Sequence, residues 1–138
     1  MPSSIRLGGA AAEARRLNQR FDAETMAASV APSIAADLKL CLNEAAANIL
    51  SYAFERQPDP MLIATLRTGD DWAEIELRDN GFAFDPLSVP PREKMRALDE
   101  GPLGGFGVQI MRENAARLAY RREVERGVGW NVLTFRCG

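Results

Sequence analysis

The stretch LNEAAANILSYAF, residues 42–54, reads as a helix with a polar pair set into an apolar run. At about 100° per residue, Leu38, Cys41, Leu42, Ala45, Ala46, Ile49, Leu50 and Ala53 fall on one continuous apolar arc. Glu44 and Asn48 are one helical turn apart, stacked on a single edge of that arc. An amide oxygen there suits a hard cation such as Mg²⁺, and a carboxylate can take a proton from water or a hydroxyl. Taken alone, such a pair is more often an ordinary solvated helix edge.

Working outward, Pro32 stops a preceding helix spanning about Ala10–Ser29, whose apolar positions are Leu17, Phe21 and Met26. Ser33 can cap the helix of interest, expected over Ile34–Phe54. A short strand is expected at Ile5–Leu7. After the loop ERQPDP the period changes to two, and MLIATLR and WAEIELR read as strands joined by TGDD. Residues 85–105 are rich in Pro and Gly and read as a long loop with one helical turn in REKMRAL. A helix from Val108 to about Ala116 follows, then strands RLAYRREV and WNVLTFR turned at ERGVG. This order predicts one α+β domain over residues 1–138. It is a two-layer sandwich with helices on one face of a mixed, largely antiparallel sheet.

Composition narrows the chemistry. With 138 residues, 46% hydrophobic and 26% charged, one core is the simplest expectation. A formal net charge of -2 offers no basic field for a nucleic acid backbone, so no direct nucleic acid partner is expected. No apolar run reaches membrane-span length and no signal-peptide pattern opens the chain, so a cytoplasmic protein with no membrane partner is expected. Cys41 and Cys137 lack metal-like or redox spacing; Cys41 reads as a core residue and Cys137 as incidental. There is no histidine, which excludes Ser-His-Asp and Cys-His pairs, imidazole-ligated zinc and a phosphoacceptor histidine within the chain.

Two further stretches can carry chemistry. In RDNGFAFDP, residues 78–86, Asp79 ends a strand and Gly81 lets backbone approach a ligand. A buried carboxylate there could accept from an exocyclic amine, though Asp-Asn-Gly is equally an ordinary turn. In GPLGGFGVQIMRENA, residues 101–115, Gly104, Gly105 and Gly107 precede a helix whose N-terminus could receive phosphates. It lacks the Gly-Lys-Ser/Thr ending of a P-loop.

In order and spacing, the three stretches resemble the N, G1 and G2 boxes of the GHKL superfamily of gyrase, the heat-shock chaperone, histidine kinases and mismatch-repair ATPases. Within it the chain is most similar to the small bacterial anti-sigma factor serine kinases, over nearly its whole length. The resemblance implies ATP and Mg²⁺ as cofactors, with Asn48 on the metal and Glu44 as general base toward a serine hydroxyl. It implies that Asp79 binds the adenine amino group, that Gly81 gives the base room, and that Thr134 supports adenine from the last strand. The G2-box residues Gly104, Gly105, Phe106, Gly107 and Val108 would line the phosphates beneath a lid over roughly 86–103. That lid carries Arg92, Lys94 and Arg96, which read first as solvated charges. Phe84 and Phe82 could wall the base or pack in the core, and Trp72 and Trp130 read as sheet-face packing residues.

The sequence departs from the family at Ser51, where a histidine is common, and at Ala116–Arg117, where an acidic residue is usual. The resemblance further implies a sigma factor and an anti-anti-sigma antagonist as partners, and a homodimer. A non-catalytic, nucleotide-gated partner switch uses the same site, and Glu44 favours catalysis between the two. A histidine kinase catalytic domain is disfavoured, because no phosphoacceptor histidine or dimerisation helix pair is present.

Overall fold

The structure, a computed structural model, describes residues 3–8, 12–55, 57–88 and 106–138. Its elements in chain order are β1 (Ser3–Leu7), α1 (Ala12–Ala27), α2 (Pro32–Asn48), β2 (Leu62–Thr68) and β3 (Ala73–Asp79). After these come α3 (Phe106–Asn114), β4 (Arg117–Glu125) and β5 (Val128–Cys137). The strands form one sheet in the order β1-β2-β3-β5-β4, and every pairing is antiparallel. The expected two-layer α+β arrangement is present, with the described sheet antiparallel throughout and not mixed. From β3 the chain crosses through α3 to the edge strand β4 and turns back as β5 into the gap beside β3.

The apolar arc of α2 explains its central place. Leu38, Cys41, Leu42, Ala45, Ala46, Ile49 and Ala53 are all buried, against sheet residues that include Leu62, Ile75, Leu77 and Phe135. Each large aliphatic side chain removed from water in this way contributes about 1.5–3 kcal/mol before entropy is charged against it. Strand alternation sends Ala73, Ile75, Leu77 and Asp79 of β3 to the helical face, together with Asn131, Leu133, Phe135 and Cys137 of β5. The opposite face is a charged lattice. Arg136 pairs with Glu74 and lies 3.9 Å over the Trp72 ring, while Arg78 pairs with Glu123 and lies 5.1 Å over Trp130. The two tryptophans do pack on the sheet, beneath arginines on the side away from the helices.

Three local features differ from expectation. Helix α2 starts with Pro32 in its first turn after Ala31, with no side-chain cap, because proline is pre-set for that position; Ser33 lies inside the helix. At its other end the regular helix stops at Asn48 and widens over Ile49–Ala53, where the Phe54 N–H reaches the Ile49 carbonyl at 3.0 Å. Cys137 is a core residue, not an incidental one. It is 1% exposed, because β5 stays paired to its end, and its Sγ donates to the Asn114 carbonyl at 3.4 Å. The β4–β5 turn is a tight two-residue loop with Arg126 at φ 53° and Gly127 at φ 80°, the twist an antiparallel hairpin prefers.

Candidate functional site

A narrow cavity opens beneath the end of α2, where the helix edge meets the ends of β3 and β5. Asn48, Asp79, Asn131, Tyr120 and Phe84 all line it. Asn48 is 7% exposed, and its side-chain amide makes no hydrogen bond with any described residue. Its oxygen and nitrogen are thereby left to water or to a ligand at the cavity.

Asp79 is 3% exposed at the end of β3. Both of its hydrogen bonds fall on Oδ1, from the Gly81 N–H at 3.0 Å and from Asn131 Nδ2 at 2.9 Å. Oδ2 has no partner among the described residues. Burial holds the Asp79 carboxyl above the usual aspartate range, against the opposing pull of Asn131, the Gly81 N–H and Arg122.

Gly81 has a steric reason to be glycine. A Cβ there would lie 2.1 Å from the Ala53 carbonyl oxygen, at the end of the widened turn. That same carbonyl accepts the Phe82 N–H at 3.1 Å, so the turn after Asn48 and the loop after Asp79 are locked together. The extra residue in the turn is what brings the Ala53 carbonyl into this place. Phe84 stacks on Tyr52 with centroids 6.0 Å apart and is half-buried at the cavity wall, while Phe82 is half-exposed.

Glu44 lies one helical turn before Asn48 and faces the start of α3. A Cβ on Gly107 would sit 2.8 Å from its Oε1. The carboxylate therefore rests against the first turn of a helix, where free N–H groups and the helix dipole favour negative charge. Val108, expected at the phosphates, is instead a core residue at 4% exposure. Gly104, Gly105, the Phe106 side chain and the lid residues Arg92, Lys94 and Arg96 lie outside the described residues, as does the helical turn expected in REKMRAL.

Thr134 is not brought to the cavity. It pairs with Glu76 and Ala119 on the charged face of the sheet, one residue out of phase with Asp79. The place expected for it is held by Asn131, directly opposite Asp79 in the β3–β5 register. Asn131 uses its whole amide. Nδ2 donates to Asp79 Oδ1 and to the Phe82 carbonyl, both at 2.9 Å; Oδ1 accepts the Phe84 N–H at 3.1 Å and the Tyr120 hydroxyl. Sequence reasoning missed Asn131. The signal was available, since in WNVLTFR the alternation that turns Leu133 and Phe135 inward turns Asn131 inward and Thr134 outward.

The cavity holds an unpartnered amide and a carboxylate oxygen free to accept an amine, and the start of α3 lies against a second carboxylate, Glu44. The model of the histidine kinase-like ATPase domain family matches residues 9–136. The chain is also similar to the serine/threonine-protein kinase BtrW of Bordetella bronchiseptica, with 36% identity over 97 residues, which is 70% of this chain. The aligned part spans 66% of that kinase's length. The family match runs through α2, the end of β3 and α3, the elements that build the cavity and its rim, and the chain belongs to the histidine kinase-like ATPase domain family.

Proposed function

We propose that this chain is an Mg²⁺-dependent protein serine kinase that binds ATP beneath α2 and phosphorylates a serine of a small anti-anti-sigma antagonist. The observation that carries the reading is the pairing, in one cavity, of the unpartnered Asn48 amide with the single free oxygen of Asp79. Kinship with a serine/threonine kinase supports the acceptor class.

In this reading Asp79 Oδ2 accepts the adenine amino group and Asn48 Oδ1 holds the metal. A Mg²⁺ ion there would need few protein ligands, since it commonly completes its shell with substrate phosphates and water. Mg·ATP supplies the transferable phosphoryl group and neutralises its charge. Glu44, at the mouth of the site, takes the proton from the serine hydroxyl as that oxygen attacks the γ-phosphorus, and the bond to the β–γ bridging oxygen breaks so that ADP leaves. The start of α3 keeps the carboxylate in place for this. Regulation follows from partner exchange, with the chain binding a sigma factor as a homodimer and releasing the antagonist once it is phosphorylated.

The test is calorimetric titration of ATP with Mg²⁺ and then with EDTA, followed by transfer of labelled γ-phosphate to a purified antagonist. Mg²⁺-dependent binding with phosphoserine formation supports the kinase. Binding without transfer to any serine-bearing partner favours a non-catalytic, nucleotide-gated switch. An absence of binding under both conditions overturns both readings.

A further inference from the structure

The Asp79–Asn131 pair carries an inference that rests on the ATP reading above and goes beyond it. A carboxylate that selects a purine must do two things. It must keep one oxygen aimed at position 6 of the base, and it must remain an acceptor, because a protonated carboxyl could also donate to a 6-oxo group. Asp79 alone secures neither, since it is buried and its Gly81 contact restrains one oxygen through one bond.

We propose that Asn131 is a positioning residue that sets the choice of base, by saturating Asp79 Oδ1 and leaving Oδ2 as the lone acceptor for an exocyclic amine. The geometry supports each part. Asn131 faces Asp79 directly across β3 and β5, and its amide cannot rotate, because all four of its hydrogen-bonding positions are engaged. A flipped amide would set its oxygen against Asp79 Oδ1 and the Phe82 carbonyl, and its N–H groups against the Phe84 N–H. A hydrogen bond donated to a carboxylate favours the ionised, acceptor-only form. The other Asn131 contacts tie the same amide to the Phe82–Phe84 loop, so purine choice and the cavity wall are set by one side chain.

The experiment is titration of ATP and of inosine triphosphate, its 6-oxo analogue, into wild type, Asn131→Ala, Asn131→Asp and Asp79→Asn, with thermal melts to verify folding. Wild type is expected to prefer ATP. Asn131→Ala should lower the ATP-to-inosine preference about tenfold, the worth of one charge-assisted contact. Asn131→Asp keeps the shape but removes both donors and sets a second carboxylate against Asp79, so the pair shares a proton and the preference falls as well. A folded Asn131 variant with the wild-type preference, or one that loses both nucleotides equally, overturns the proposal. Asp79→Asn separates the two levels. If it leaves the preference unchanged, the adenine reading itself fails; if it abolishes the preference while the Asn131 variants do not, only the role of Asn131 fails.

Discussion

Gly107 stands against the carboxylate of Glu44, so closely that a Cβ would come within 2.8 Å of Oε1. The contact joins the edge of α2 to the first turn of α3 at the point where the proposed phosphoryl transfer takes place. Only the far end of a flexible side chain would have to yield to a methyl group there.

Gly107→Ala should therefore separate stability from catalysis. Alanine in the helix is favourable by about 0.5–1 kcal/mol relative to glycine, so the melting temperature should hold or rise. The displaced Glu44 carboxylate should slow phosphoryl transfer about tenfold or more, as misplacement of a catalytic group does. Thermal melts with single-turnover transfer assays decide this, and an unchanged rate would remove the contact from the mechanism.

Glu44→Gln tests the base itself. The amide keeps the shape at the start of α3, so ATP affinity should stay within a few-fold of wild type. Transfer should fall by about 10²–10⁴-fold. A wild-type transfer rate would end the assignment of Glu44 as base.

Asp79→Asn should stabilise the fold while weakening ATP. The folded carboxyl is raised above its unfolded value by burial, so below the unfolded aspartate range, about pH 4, both states are protonated and the wild type carries no penalty. As pH rises through the raised folded value, the folded state holds its proton longer than the unfolded state, and stability falls. The stability gap between Asp79→Asn and wild type should therefore widen above about pH 4 and level off once Asp79 is ionised in the folded protein. Urea unfolding of both proteins from pH 3 to 8 measures it. A constant gap across that range would mean the burial penalty is absent.

Gly81→Ala should destabilise the protein by about 1–3 kcal/mol, since its Cβ would meet backbone and not a movable side chain. Affinity for ATP should fall with it, because the Phe82 loop is anchored to the same carbonyl. Equilibrium unfolding provides the measurement, and a neutral result would show that the widened turn can yield.

Thr134→Val should leave ATP affinity unchanged and stability within about 0.5 kcal/mol, as for a substitution on a solvated face. A marked loss of ATP binding would return Thr134 to the site.

The residues of the chain determined on their own that a helix carries Glu44 and Asn48 on one edge, that Asp79 ends a strand, and that helices cover one face of a largely antiparallel sheet. These follow from local periodicity, which neighbouring residues cannot hide. Tertiary structure alone decided the rest. The widening after Asn48 sets the Ala53 carbonyl against a loop distant in the chain, a contact that no local period records. The alternation in WNVLTFR already turned Asn131 inward and Thr134 outward, but setting Asn131 opposite Asp79 is a matter of β3–β5 register, where a shift of one residue turns a side chain to the opposite face. The place of Gly107 against Glu44 depends on how α3 meets α2, and no spacing within either helix records that contact.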